Sequence, residues 1–186
     1  MSITADTIPG YVAGTWTLDP THSEVSFSVR HLAISKVRGT FESFSASAVS
    51  AENPLESTLV ASIDVSSVNT NNEMRDGHLR TSDFFAIDEF PTMEFVSTAI
   101  RTEGDDVILI DGDFTLRGVT KQITLKGEFG GITTDGYGQV KAGASASTKI
   151  NRLDYGVNWN AALEAGGLTL GNEVTINFEI QVVLQP

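Results

Sequence analysis

Alternation is the feature that most constrains what this chain can fold into. Over residues 23–31, Val25, Phe27 and Val29 fall on one side, and Glu24, Ser26, Ser28 and Arg30 on the other. Successive side chains of a strand point to opposite faces of a sheet, so a period of two predicts a half-buried strand. Leu59, Ala61, Ile63 and Val65 repeat the pattern, as do Ile123, Leu125, Gly127 and Phe129. The clearest run sets Val174, Ile176, Phe178, Ile180 and Val182 against Thr175, Asn177, Glu179 and Gln181. Further candidates lie at 15–19, 37–49, 92–102, 107–116 and 142–150. Phe41 and Phe44 are out of phase with each other, which predicts a bulge. Glu103, Gly104, Asp105 and Asp106 make one turn, and residues 117–121, opening on Arg117 and Gly118, make the next. Eight or more strands with short connections predict an all-β, antiparallel sandwich or barrel.

Two segments break the period. Glu73, Met74, Leu79 and Phe84 or Phe85 stand at roughly helical spacing, with Asn71 or Asn72 as cap and Pro91 beyond. They predict a short helix over 72–86. Residues 161–168 fit one helical turn or an irregular loop. At 186 residues the chain is the size of one domain. Residues 1–13 read as a flexible N-terminal arm and 14–186 as the domain.

An eight-stranded closed sheet has room inside for side chains or for one small ligand. Large inward residues (Phe27, Phe95, Phe114, Phe178) alternate here with small ones (Ala61, Gly112, Gly127, Ala144, Ala146). The small residues either match large neighbours across the barrel or leave a lipophilic cavity. Pattern alone keeps both readings open.

Charge narrows the partners. Twelve Lys and Arg face 24 Asp and Glu, a net charge of −12. Phosphate backbones and anionic membrane surfaces are recognised by basic stripes, so nucleic acid and a charged bilayer are poor partners. No apolar run approaches the roughly 18 residues of a membrane span, so no stable membrane insertion is expected. The first six residues carry no Lys or Arg and no apolar core of a secretory signal, which makes the cytoplasm the default expectation. Cysteine is absent, which removes disulfides and thiolate chemistry. His22, His31 and His78 have no metal-site spacing, so no metal is expected.

Two polar constellations carry chemistry on paper. Asp19, His22 and Ser23 suggest a nucleophilic triad. Adjacent residues in an extended chain point apart, however, and no nucleophile elbow surrounds the serine. A turn in which Asp19 and Ser23 satisfy backbone donors is the plainer reading. Arg75, Asp76 and His78 lie within one predicted helical turn, where Arg75 and Asp76 would sit beside His78 or Leu79. They form either a headgroup-binding cluster at a barrel mouth or a polar knot that pins the helix.

Trp16, Asp19, His22, Ser23, Val25, Phe27, Val29 and His31, at that spacing, resemble the opening of the YceI-like family of polyisoprenoid-binding proteins. The resemblance continues through Val37, Gly39, Phe41 and Phe44. It runs on through Arg75, Asp76, His78, Leu79, Asp83, Phe84, Phe85, Pro91 and Phe95, then Gly112, Phe114, Leu116, Gly118 and Thr120. It ends with Asn151, Arg152, Asp154 and Gly156, and with Gly171, Glu173 and Val174. It implies an eight-stranded antiparallel lipocalin-like barrel threaded by a long isoprenoid chain, such as a polyprenyl or quinone tail. It implies a non-catalytic carrier, with no cofactor beyond that lipid, and a homodimer in some members. Many relatives begin with a secretory signal, so a periplasmic role is not carried over.

On this reading the wall is formed by Val25, Phe27, Val29, Phe41, Ile63, Phe95, Phe114, Ile176 and Phe178. His31 is either a headgroup donor or a barrel-end histidine. Arg75, Asp76 and His78 bind the headgroup or hold the fold, and Phe84 and Phe85 are a lid or core. Two alternatives stand beside the carrier. One is a hydrolase using His78 with Asp76, or His22 with Ser23. The other is a ligand-free barrel whose lumen is filled by side chains.

Overall fold

The structure, a computed structural model, describes residues 3–104, 107–164 and 166–186. Eleven strand segments build it: β1 (Gly14–Leu18), β2 (Glu24–His31), β3 (Ser35–Phe41), β4 (Phe44–Ser50), β5 (Thr58–Asp64), β6 (Val68–Asn69), β7 (Thr92–Glu103), β8 (Val107–Leu116), β9 (Val119–Thr134), β10 (Val140–Asn151) and β11 (Leu170–Leu184). All pairings are antiparallel. Three pairs of segments are single strands interrupted by a bend: β1 with β2, β3 with β4, and β5 with β6. Counted that way, eight strands meander in chain order, and β11 closes the ring by pairing with β2 along its first part and β1 along its last. Among the described residues, β6 and the first part of β3 each have a strand neighbour on one side alone. The expected all-β barrel of eight strands is what the chain forms.

Local sequence explains the bends. At the first, Asp19 caps a 3-10 turn over Pro20–His22 by accepting from the Thr21 amide at 3.1 Å. Proline's fixed φ suits this position and its missing N–H is not needed there. Ser23 Oγ accepts from the Gln181 amide at 2.9 Å. The Asp19, His22 and Ser23 group is therefore a turn, as its plainer reading held. At the second bend, the phase slip between Phe41 and Phe44 is realised as a break at Glu42 and Ser43. Their amides are satisfied by the Ser67 carbonyl and hydroxyl, and both rings pack in the core.

The β8–β9 hairpin turns on Arg117 and Gly118 alone. Both have positive φ, 50° and 72°, the backbone of a type I′ turn, whose twist matches that of the strands. Of the turn expected after β7, Asp105 and Asp106 lie outside the described residues. The N-terminal arm is tied to the barrel by Tyr11, whose hydroxyl donates to the Ala51 carbonyl at 2.6 Å.

The helix is shorter than its periodicity predicts. α1 spans Glu73–Arg80. Asn72 Oδ1 caps it at the Arg75 amide, 3.0 Å, while Asn71 sits at φ 58° outside it. It stops because Thr81 turns its hydroxyl back to the His78 carbonyl at 2.7 Å, the competition that makes Thr, Ser and Asp poor helix formers. Phe84 and Phe85 follow in a loop held by Arg117 Nη1, which donates to the Phe84 carbonyl at 2.8 Å. Arg80 clips the end of α1 to the carbonyls of Ser66 and Val68, at 2.8 and 3.1 Å. No described helix is long and apolar enough to cross a membrane.

Candidate functional site

The lumen is not filled. A cavity of about 570 Å³ occupies the end of the barrel covered by α1 and its loop on one side and by Arg152, Val157, Trp159 and Thr169 on the other. That volume lies within the roughly 300–1,000 Å³ of ordinary small-molecule sites. A second, wholly apolar space of about 190 Å³ lies toward the opposite end, and Ile176 is common to both walls.

The first cavity is walled by alternate residues of the barrel: Phe27, Val29 and His31 from β2, Val37 and Phe41 from β3, and Leu170, Val174 and Ile176 from β11. Phe27 stacks at 5.4 Å from Phe41, which meets the edge of Phe85 at 5.9 Å. Such tilted and edge-on pairs are the favourable aromatic geometries. Gly39 makes room for this cluster: a Cβ there would lie 2.6 Å from the Phe27 ring. At the mouth, His78, Phe84 and Trp159 form a triangle with ring centroids 4.9 to 5.3 Å apart. His78 is 39% exposed and shares a 2.8 Å hydrogen bond with Asp83. Met74, also on the wall, is almost fully exposed, which places the opening beside the start of α1.

Of the expected wall residues, Phe27, Val29, His31, Phe41, Arg75, His78, Phe84, Phe85 and Ile176 line this cavity. Ile63, Phe95, Phe114 and Phe178 line the second, which Ile176 also borders. Two residues line neither. Val25, only 2% exposed, is core between its register partners Phe41 and Phe178. Asp76, 7% exposed, is taken up by Thr70. The Thr70 amide reaches its two oxygens at 3.0 and 3.2 Å, and the Thr70 hydroxyl donates to Oδ1 at 2.5 Å. Arg75 joins the same knot, donating from Nε to the Thr70 hydroxyl and from Nη2 to its carbonyl, at 2.7 and 2.8 Å. The expected pairing of Arg75 and Asp76 with His78 does not form. Thr70, just before the helix, supplies donors and acceptors closer than the next turn does.

The small inward residues divide the same way. Ala61, Ala144 and Ala146 border the second space. At Gly112 a Cβ would lie 2.4 Å from Phe95, so there the small residue matches a large neighbour. Gly127 lets strands approach, since a Cβ would lie 2.2 Å from the Ser145 carbonyl.

The functional residues that pattern reading missed lie after β10. Arg152 is 4% exposed and lines the cavity. Its Nε donates to the Gly171 carbonyl at 2.9 Å, and its Nη1 to those of Val157 and Trp159 at 2.7 and 2.8 Å. The guanidinium thus ties Val157 and Trp159 to Gly171 at the barrel end and holds Trp159 at the mouth. Its Nη2 has no partner among the described residues, and burial pulls its pKa below the ordinary arginine value. The available signal was a lone arginine between the apolar Ile150 and Tyr155, followed by a tryptophan in a polar stretch. No cluster of three metal-ligating side chains occurs among the described residues.

The profile of the YceI-like domain matches residues 16–182. UPF0312 protein SAS2572 of Staphylococcus aureus strain MSSA476 is 38% identical over 162 residues, 86% of this chain and 91% of that protein. The crystal structure of a Campylobacter jejuni YCEI protein superposes with a TM-score of 0.71 at 32% identity, over 91% of this chain and 98% of the other. A polyisoprenoid binding domain from Saccharophagus degradans, implicated in plant cell wall breakdown, shares the fold with a TM-score of 0.70 at 17% identity, over 91% and 98% of the two chains.

Proposed function

The chain belongs to the YceI-like domain family, and on that premise we propose that it binds a long isoprenoid lipid in the barrel lumen and carries it without chemical change. The observation that carries this reading is the cavity of about 570 Å³ with an almost wholly apolar wall and an opening beside α1. Burying apolar surface contributes roughly 25 cal/mol per Å², so a long hydrocarbon chain needs few polar contacts to be held. A tail that passes Ile176 reaches the second apolar space, which suits a ligand longer than the first cavity alone. The polyisoprenoid binding domain of similar fold supports the choice of ligand class. A net charge of −12 keeps a loaded carrier dispersed.

Against a catalytic reading stand the two polar groups that suggested one. Asp76 is spent on Thr70, and Ser23 on the Gln181 backbone. Adding a polyprenol to the purified protein raises its melting temperature on this reading. Ile176→Trp, which puts a larger side chain at the residue common to both walls, removes the rise while the variant remains folded. A folded Ile176→Trp protein that is stabilised as strongly as the original contradicts the assignment of the lumen.

A further inference from the structure

The rim of the main opening carries exposed apolar side chains beside a cluster of cations. Ile34, in the turn between β2 and β3, is 82% exposed, Met74 at the start of α1 is 87% exposed, and Leu168 is 54% exposed. The three stand on the segments that surround the mouth. Met74 lines the cavity, and so do Thr169 and Leu170, just after Leu168. The Leu32 amide donates to the Thr169 carbonyl at 2.8 Å, which ties the hairpin tip to the loop carrying Leu168. The tip is strained: Leu32 and Ala33 sit at φ 52° and 59°, a region that glycine or asparagine ordinarily takes. Strain of this kind gathers at sites that use it. Behind the tip, Arg30 and Lys36 are register partners across β2 and β3, and Arg38 pairs with Ser28. Val29, His31 and Val37 face the lumen, so the three cations share the outer face. All three are exposed, and none makes an ion pair among the described residues. Like charges directly opposite on a sheet repel each other, a cost that an outside anion would relieve. Glu73 and Glu164 stand on the segments of Met74 and Leu168, and Asp83 is held by His78, so the hairpin is the positive side of the rim.

Resting on the reading of the barrel as a lipid carrier, we propose that this rim docks on the surface of an anionic bilayer, with Ile34, Met74 and Leu168 in the interface and Arg30, Lys36 and Arg38 on the headgroups. Apolar groups that dock this way sink roughly 5–10 Å into the boundary of headgroups and acyl chains. A strand rises by roughly 3.3 Å per residue, so Lys36 stands roughly 7 Å and Arg38 roughly 13 Å from Ile34. With Ile34 sunk to that depth, Lys36 and its partner Arg30 are level with the headgroups, and the long stem of Arg38 reaches back toward them. The opening then faces the bilayer, and a hydrocarbon chain passes between membrane and lumen without crossing water. Average charge makes a bilayer a poor partner for this chain, since the net charge of −12 opposes adsorption. The hairpin is a local exception. At physiological ionic strength charges are screened over roughly 8 Å, so a bilayer at the mouth meets the hairpin cations and not the acids of the far end. The contact is peripheral, and no segment crosses the membrane.

Flotation of the full chain with lipid vesicles at physiological ionic strength tests this. Vesicles of phosphatidylcholine alone are compared with vesicles that also contain phosphatidylglycerol. The protein is expected to bind the anionic vesicles at least about tenfold more tightly than the neutral ones. Lys36→Gln and Arg38→Gln are each expected to weaken that binding by roughly fivefold. Ile34→Ser is expected to weaken binding to both kinds of vesicle. Ile34, Lys36 and Arg38 line neither lumen space, so each variant keeps the rise in melting temperature with added polyprenol. Equal binding to neutral and anionic vesicles overturns the proposal, as does unchanged binding by a folded variant carrying both Ile34→Ser and Lys36→Gln. No flotation, with the polyprenol response intact, overturns the docking surface and leaves the lipid-binding reading standing. Flotation that depends on Ile34 and Lys36, without a polyprenol response, supports the docking surface and overturns the reading of the lumen. A dimer that Ile34→Ser converts to a monomer, with no vesicle binding, assigns the rim to a second copy of the chain and overturns the proposal.

Discussion

Asp76→Ala separates holding the fold from holding a ligand. Asp76 accepts the Thr70 amide on both carboxylate oxygens and the Thr70 hydroxyl on one, all out of solvent. Truncation removes the acceptor of two donors. The hydroxyl can rotate to a new partner, but the backbone N–H cannot. A hydrogen bond to a charged group contributes about 1.5–3 kcal/mol, and a buried donor left unmade costs a similar amount. The expected loss is therefore about 3 kcal/mol. For a chain of this size 1 kcal/mol moves the melting temperature by about 2–4 °C, so the midpoint falls by about 6–12 °C. Asp76→Asn keeps one acceptor oxygen and should lose about 1 kcal/mol. The assay is thermal unfolding followed by circular dichroism, with lipid uptake measured well below both midpoints. The reasoning predicts a large shift in midpoint and nearly unchanged uptake by the folded fraction. A midpoint within about 2 °C of the original, with uptake abolished, refutes it and makes Asp76 a ligand contact.

Lys141 lies 2.9 Å from Asp19 and 3.4 Å from Asp135. Its hydrogen bond, with that of His22 second, holds the Asp19 carboxyl down at about 2. Lys141→Met should move Asp19 up toward the ordinary value near 3.8, read by carbon-detected NMR titration. Because the folded pKa lies below the unfolded one, the stability this pair adds is complete above about pH 4 and disappears as the pH falls toward 2. An Asp19 that titrates unchanged in the variant contradicts the pairing. Gly112→Ala places a Cβ 2.4 Å from the Phe95 ring and 2.6 Å from the Val96 carbonyl. Because the backbone cannot yield cheaply, calorimetry should show a loss of about 1–3 kcal/mol, and an unchanged midpoint contradicts that packing.

Legibility in the sequence followed the range of the forces involved. Period-two alternation reports which face is buried, so the strands carrying Phe27, Phe95, Phe114 and Ile176 were placed with the correct parity. Arg117 and Gly118 announced their turn because only a few residues suit its backbone. Parity does not report depth along the barrel. It therefore grouped Val25, packed solid between Phe41 and Phe178, with Phe27 two residues on, which borders space. Residues in one helical turn look like one cluster on paper. Thr70, outside the helix, drew Arg75 and Asp76 away from His78 by offering a hydroxyl, an amide and a carbonyl at once. Arg152 stood among the residues of the resemblance, but its role was hidden for the same reason. Its partners are carbonyls of Val157, Trp159 and Gly171, and backbone acceptors leave no mark on side-chain patterns.

The central claim is that the lumen carries an isoprenoid lipid. The most direct measurement is organic-solvent extraction of the protein purified from its own cells without added lipid, with the extract analysed by mass spectrometry against protein amount. The account predicts a polyisoprenoid species approaching one per chain, absent from an Ile176→Trp preparation. A stoichiometric ligand of another class, or an extract equally empty for both proteins together with no stabilisation by added polyprenol, contradicts it.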